Sequence, residues 1–319
     1  MPGITGMATT YNSPNYVGEL FNASPEDTPF LSAIGGLTGG ESTGAIITTW
    51  SGYDLRDADD SRQRLEGAEA PQSEERARFA ASNVLEIHQE AFSVSYTRMG
   101  TNRQVTTDGA AQVQAGDPSV IDEIAFQADA QLKQIARDVE KSFITGTYQM
   151  PVDNTTARKT RGLLEAITTN VATTTSTAET LAADELLDLM QQVWENGGIQ
   201  ESETRTIIVG AALKRALTRI FIRDAKFEER SRNVGGVNLQ TIETDFGRAN
   251  IMLDRYMPAT TLAVVSLEEC APRFLEVPGK GHFFAEPLAK TGASEKYQLY
   301  GEIGLKYGNE KKHGKLTVA

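Results

Sequence analysis

Apolar positions along the chain fall into blocks with different periods. Ile121, Ile124, Ala128, Leu132, Ile135, Val139 and Phe143 advance by three or four residues and form one stripe, with Asp122, Asp129, Lys133, Arg137, Asp138 and Lys141 on the other side. This spacing predicts an amphipathic helix. Asp117 suits the N-cap, Pro118 the first helical position and Gly146 the stop. A helix over 118–145 would be about 42 Å long at about 1.5 Å per residue, the length of a spine rather than of an ordinary surface helix. Near the C-terminus the period changes to two. Tyr297, Leu299, Gly301, Ile303, Leu305 and Tyr307 share one side and Gln298, Glu302 and Lys306 the other, the pattern of a strand. Lys315-Leu316-Thr317-Val318 is expected to pair at its edge.

Earlier in the chain the pattern predicts a long two-stranded excursion. Ala45-Ile46-Ile47-Thr48-Thr49-Trp50 is rich in strand formers, and Val84–Tyr96 supplies a second strand. Between them, Asp54 to Arg78 is very polar, and Leu65 is a large aliphatic near its middle. The second strand changes phase: Leu85 and Ile87 take one face, Phe92, Val94 and Tyr96 the other. Because side chains alternate strictly along a strand, the slip predicts a bulge or a change of partner near His88–Glu90. Residues 179–272 read as a compact α/β section. Leu186, Leu189, Met190 and Val193 line a helix closed by Asn196-Gly197-Gly198, and Thr206–Val209 is a short buried strand. A helix is expected over 211–223, with further strands at Ile242, Ile251–Leu253 and Leu262–Val265. Residues 147–178, rich in threonine, look like a linker with a docking point at Gly162-Leu163-Leu164. Residues 1–45 look like an arm. Pro14, Pro25 and Pro29 interrupt it, glycines crowd 35–44, and Tyr16, Val17, Leu20, Phe21, Phe30, Leu31 and Ile34 need a surface to cover them.

Composition narrows the function classes. The 319 residues suggest about two domains, and hydrophobic residues at 39% suffice for a core. No apolar run approaches the roughly 20 residues of a membrane span, and the N-terminus lacks a signal-peptide pattern. One cysteine, Cys270, excludes an intramolecular disulfide. The net charge is −12, with residues 1–110 at −8 and 273–319 at +3. That balance argues against a protein that grips DNA phosphates, though not against one that surrounds nucleic acid. All bases before Lys133 are arginines, which suits an interface of paired charges or reflects simple compositional bias.

The search for chemistry finds no active site. His88, His282 and His313 have no second ligand at metal-binding spacing, Gly279-Lys280-Gly281 is not a phosphate loop, and neither a nucleophile elbow nor a dinucleotide fingerprint occurs. No catalytic residue, cofactor or metal is assigned. Asp54, Asp57, Asp59 and Asp60 form the densest acidic cluster, read as a solvated loop tip, a contact with a basic partner or a loose divalent-ion site. Arg215, Arg219 and Arg223 form a ladder at helical spacing that either meets such acids in another subunit or solvates its helix.

In order, then, the chain carries an arm, a long polar-tipped hairpin, a spine helix, an α/β section and a late long strand. With Arg161-Gly162-Leu163-Leu164, Thr206-Ile207-Ile208-Val209-Gly210, Val237-Asn238, Ile242-Glu243-Thr244-Asp245-Phe246-Gly247, Ala285–Gly292 and Gly301–Leu305, this order resembles the major capsid proteins of tailed bacteriophages, in the branch typified by phage SU-ten. The resemblance implies an α+β, Hong Kong 97-like capsid fold: N-terminal arm 1–45, extended β-hairpin loop 46–96, peripheral domain 97–178 with spine helix 118–145, axial domain 179–272, and C-terminal strands 273–319 returning to the peripheral domain. It implies a structural protein, not an enzyme, whose hexamers and pentamers close into an icosahedral shell around double-stranded DNA. Implied partners are the chain itself, a portal protein at one vertex, a scaffolding protein and a decoration protein, without a membrane. The place is the virion capsid, after assembly in the bacterial host cytoplasm. Asp57, Asp59, Asp60, Arg62, Arg64, Arg76, Arg78, Arg215, Arg219 and Arg223 are the candidate contacts between subunits.

Two departures from the founding member matter. Nothing resembling its removable scaffolding segment precedes the arm, so scaffolding is expected from a separate protein, or the chain is the mature product of a longer gene. The loop carries arginines and no lysine, so the founding member's isopeptide crosslink cannot form there. The alternatives are an encapsulin-like compartment without DNA, a soluble enzyme built on the α/β part, and a phage tail or adhesin component.

Overall fold

The computed structural model describes residues 26–56, 58–76, 78–101, 123–200, 205–220, 230–234 and 237–319. Residues 16–21 of the arm, the expected N-cap Asp117 and the first turn of the spine helix, Asp57 and Arg223 lie outside the described residues.

In chain order, helix α1 (Pro29–Ile34) leads into strands β1 (Glu41–Thr43), β2 (Ile47–Tyr53), β3 (Arg78–Val84) and β4 (Glu86–Ser95), then α2 (Tyr96–Thr101) and the spine helix α3 (Glu123–Thr145). Next come α4 (Leu163–Ala166), β5 (Val171–Thr173), α5 (Ala183–Glu195), β6 (Arg205–Val209) and α6 (Ala211–Thr218). The remainder is strand: β7 (Arg230–Val234), β8 (Val237–Thr244), β9 (Gly247–Leu253), β10 (Thr261–Ser266), β11 (Ala271–Leu275), β12 (Phe283–Pro287), β13 (Ser294–Lys306) and β14 (Gly314–Thr317).

A seven-stranded mixed sheet runs β5-β14-β10-β6-β9-β8-β7. Its central strands are continuous apolar runs because both faces are covered. On one face Ile207, Val209, Ile251, Leu262, Val264 and Leu316 pack against Leu186, Leu189 and Val193 of α5 and Leu213 and Leu217 of α6. On the other, Ile208, Met252, Ala263 and Val265 join Phe30 and Leu31 of α1 and Ile135, Val139 and Phe143 of α3. The α5 stripe is the one its periodicity predicts, and Glu185 fixes the helix start by accepting from the Ala182 N–H at 3.0 Å.

The second sheet is built on β13, which pairs with β11 and β12 along one edge and with β4 along the other. The β4 ladder runs from Ser95 opposite Ser294 to Glu86 opposite Ile303. Here the strand pattern holds with one difference: Glu302, on the expected polar side, is 8% exposed, because Arg158 caps it at 2.8 Å.

The helix after β6 runs over Ala211–Thr218 with a π-helical continuation at 219–220, and its expected end at 223 lies outside the described residues. Three further expectations are corrected. The change of partner falls at Leu85, between β3, which belongs to the hairpin, and β4, which belongs to the second sheet. The threonine-rich stretch 147–178 is not a bare linker: it carries α4 and β5, and the Thr168 and Thr169 N–H groups are held by Glu310 at 3.1 and 3.0 Å. Finally, β14 leaves the late strand and enters the seven-stranded sheet, antiparallel to β10 and parallel to β5. Leu316 and Val318 bury their side chains there, so residues 273–319 divide between the two sheets.

The spine helix stops at Thr145, where Gly146 donates to the Ser142 carbonyl at 2.9 Å. Gly162 then lies against this end: a Cβ there would stand 2.5 Å from the Gly146 nitrogen and 2.8 Å from the Ser142 carbonyl oxygen. Backbone atoms cannot give way as a flexible side chain would, so Gly162→Ala is expected to cost about 2–3 kcal/mol by overpacking. Urea unfolding at constant m-value checks it.

Candidate assembly interface

The root of the hairpin is fixed by buried polar contacts. Trp50 donates from Nε1 to the Gly308 carbonyl at 2.7 Å and meets Tyr307 edge-on, with centroids 4.9 Å apart. Asn83, fully buried, donates from Nδ2 to the carbonyls of Leu305 (2.7 Å) and Arg161 (3.0 Å). Its Oδ1 accepts from the N–H groups of Arg161 (2.8 Å) and Val84 (2.9 Å). Val84 and Leu85 are buried beside it. Next along, the Glu86 carboxylate accepts from the Thr160 N–H at 3.1 Å and pairs with His88 at 2.8 Å. His88 therefore bonds at the root, three residues past the change of partner at Leu85, and β4 alternates through it without a slip.

Beyond the root the hairpin leaves the body. Strands β2 and β3 pair from Ile47 opposite Val84 to Tyr53 opposite Arg78. Phe79 lies over Gly52, where a Cβ would stand 2.4 Å from the ring. Between Tyr53 and Arg78 every residue with a described side chain is exposed except Arg62, which is half-buried. Tyr53, Leu55 and Leu65 are 65%, 75% and 86% exposed. A two-stranded ribbon with bare apolar side chains has no core of its own and needs a second surface.

Several of the candidate charges pair within the hairpin. Asp59 accepts from the Ser61 hydroxyl (2.5 Å) and N–H (2.8 Å) and from Arg62 (3.1 Å), which together hold its carboxyl below the usual range. Glu74 joins Arg62 (2.5 Å) and Arg76 (2.9 Å), and these two hydrogen bonds lower it as well. Asp54 reaches Lys311 at 2.6 Å, tying the first residue of the tip to the body. Asp60, Arg64 and Arg78 are exposed. Among the described residues no group of three acids, histidines or cysteines is placed to hold a metal.

On the α/β side, Arg215 lines a groove of about 370 Å³ with Lys214, Arg219, Ala178 and Glu179. Arg219 does not point away as the ladder suggested: its Nη2 donates to the carbonyls of Ala178 (3.4 Å) and Leu181 (3.3 Å). A second groove, about 450 Å³, runs between the end of α3 and β4 and is lined by Glu86, His88, Lys141, Arg158 and Lys159. Neither brings a nucleophile, a base and an oxyanion donor together. Cys270 is buried in the core, which pushes its thiol well above the usual range. His313 is also buried, donating from Nε2 to the Tyr307 carbonyl at 2.7 Å and accepting from the Ser266 N–H at 3.3 Å. The residues that matter most at the hairpin root, Trp50 and Asn83, are missed by a search for charge and motif. A lone tryptophan at a strand end and an asparagine inside an apolar strand were their only signals.

A family model described as SU10 major capsid protein matches residues 3–319. The chain belongs to that family. It is a major capsid protein, a structural component of the virion and not an enzyme. The major capsid protein of Escherichia phage Phieco32 is 25% identical over 349 residues, covering 93% of this chain and 91% of the relative. The capsid subunit of cyanophage A-1(L) superposes with a TM-score of 0.65 at 11% identity, over 97% of this chain and 98% of that one. The SrpI encapsulin of Synechococcus elongatus PCC 7942 gives 0.59 at 11% identity, over 96% and 91%. At such identity these structures establish the α+β, Hong Kong 97-like fold, which capsids and an encapsulin share. The family match separates the two.

Proposed function

We propose that this capsid protein assembles as hexamers and pentamers into an icosahedral shell around the double-stranded DNA of a tailed phage. The observation that carries the reading is the hairpin, anchored at Trp50 and Asn83 and bare from Tyr53 to Arg78, a shape suited to lying on a neighbouring copy. Residues 1–45 act as the arm, 46–96 as the extended loop, 97–178 with most of 273–319 as the peripheral domain, and 179–272 as the axial domain, which takes β5 and β14 into its sheet. Asp60, Arg64, Arg78, Arg215 and the residues outside the description, Asp57 and Arg223, provide contacts between copies. Asp59, Arg62 and Arg76 stiffen the loop that presents them, and Arg219 the groove beside Arg215. A portal protein occupies one vertex, a separate scaffolding protein directs closure, and a decoration protein adds stability in place of the missing crosslink. Assembly takes place in the host cytoplasm. The net charge of −12 keeps packaged DNA from adhering to the wall.

The test is electron microscopy of the native assembly, with nucleic-acid content measured on the same sample. Closed icosahedral particles containing DNA are expected. Closed particles that never hold DNA would instead make this a compartment of the encapsulin kind, and a monomer or small ring under all conditions would overturn the shell.

A further inference from the structure

Glu140 and Asp254 are both fully buried. Glu140 sits on the core face of α3, between Val139 and Phe143, and its two oxygens accept from the N–H groups of Phe30 (2.7 Å) and Leu31 (2.6 Å) in α1. Asp254 follows β9. Its own N–H donates to the Val209 carbonyl at the end of β6 (2.9 Å), and its Oδ1 accepts from the Tyr256 N–H (2.7 Å). The two carboxyl groups lie within hydrogen-bonding reach of each other. Among the described residues, no N–H or hydroxyl donor reaches Asp254 Oδ2. The hydrogen that can satisfy it is therefore a carboxyl proton.

Among the described residues, neighbouring charges do not neutralise the pair. Arg137 of α3 donates to the Tyr256 hydroxyl at 3.0 Å. Arg255 turns out to Asp27 at 2.8 Å, and Lys133 pairs with Glu26 and Asp129. Asp27 adds a further negative charge near Asp254. Two adjacent carboxylates without a cation in an apolar core cannot both ionise at modest cost, so the pair keeps one proton, which belongs to both.

We propose that Glu140 and Asp254 hold one shared proton as a lock, joining the root of the N-terminal segment, the spine helix and the α/β layer, and that loss of this proton opens the joint. Burial, helped by the hydrogen bond and repulsion of Asp254, raises Glu140 to about 10, and burial raises Asp254 as well. The sign follows from the raised values. An unfolded carboxyl titrates near about 4, so the stabilisation is complete below that range and is lost as pH rises through the folded value. In between, the folded chain binds one proton more than the unfolded chain, and its folding constant falls roughly tenfold per pH unit from this pair.

Denaturant unfolding of the full chain from about pH 6 to about pH 9, within that window, tests the lock in wild type, Asp254→Asn and Glu140→Gln. An amide at 254 can donate to Glu140 as the shared proton does while leaving both α1 bonds in place. Both variants are expected to lose the tenfold-per-unit component. Infrared spectra of wild-type protein at neutral pH should show a protonated-carboxyl stretch that Asp254→Asn removes. Equal slopes in wild type and either variant that folds would overturn the lock. So would absence of the stretch from the wild type, a measurement that stands even when neither variant folds.

Discussion

Replacing residues 54–77 with an Asn-Gly turn between Tyr53 and Arg78 is expected to leave the chain folded and to abolish shell formation. These two residues already face each other across the hairpin, and Asn-Gly suits the tight turn that matches strand twist. The fold should persist because the removed tip contributes no core residue. Its ties to the body include Asp54 with Lys311 at 2.6 Å and with Asn309 at 3.4 Å. Exposed ion pairs of this kind stabilise little.

Assembly should fail for a different reason. Leu55 and Leu65, 75% and 86% exposed in one chain, are removed, and Tyr53 loses the extension that would carry it onto a neighbour. Burying a large apolar side chain contributes roughly 1.5–3 kcal/mol, well above a surface ion pair at roughly 0–1. The apolar residues thus supply the larger share of attraction, and the exposed charges at 60, 64 and 78 set register and exclude wrong partners. In a closed shell the loss recurs in every copy. Sedimentation velocity and electron microscopy decide it: wild-type chains should form particles, and the shortened chain should stay as free subunits with an unchanged unfolding midpoint. Shells of normal size from the shortened chain would show that the hairpin does not carry assembly.

What could be read in the sequence follows from how local each signal is. The α5 stripe, the central strands and the alternation of β13 lie within single windows of periodicity, and the structure has them where the pattern puts them. That a hairpin leaves the body was legible because a mostly polar stretch of twenty-odd residues cannot build a core, but its second strand is Arg78–Val84 and not the expected Val84–Tyr96. The chain's partner choices were not local. Nothing in Lys315–Val318 says whether it pairs with β13 or with β10, because either strand offers an apolar face; the answer depends on β10 having an open edge. Asn83 bonds to residues 78 and 222 positions away, so no spacing rule reveals it. Glu140 gave a weak sign, a carboxylate one residue after Val139 and three before Phe143, on the face that the stripe itself marks as buried. The spine stripe also overstated the core. Leu132 is 39% exposed in the single chain, Ile124 and Ala128 are half-buried, and full burial along the described part of the stripe begins at Ile135. Periodicity shows which face is apolar and not what covers it.

Asn83→Ala should have the largest effect on the fold of any single side-chain truncation at the hairpin root, about 4 kcal/mol. Asn83 is where β3 ends and the chain changes sheets, and its amide joins three segments: the strand itself, Arg161 in the turn beside the spine helix, and Leu305 in β13. Truncation leaves two carbonyls and two N–H groups without their partner, at roughly 1–3 kcal/mol for each group that water cannot reach. A loss of this size is a large share of the roughly 5–15 kcal/mol that holds a typical domain together. Substitution by aspartate separates hydrogen bonding from packing, because the shape is kept. Asn83→Asp retains the acceptor for Arg161 and Val84 but turns a second oxygen toward the Leu305 and Arg161 carbonyls, which offer no proton. Ionisation there is penalised, so the new carboxyl should hold its proton in the folded state more tightly than in the unfolded one. Its folded pKa then lies above the unfolded value of about 4, and the variant should approach wild-type stability below that pH and lose stability as pH rises toward neutrality. Asn83→Ala should show no such added slope. Urea titrations of the three proteins at acid and neutral pH measure the difference. If both variants are equally destabilised at every pH, the side chain fills space at the root and its hydrogen bonds do not set the direction in which the hairpin leaves the body.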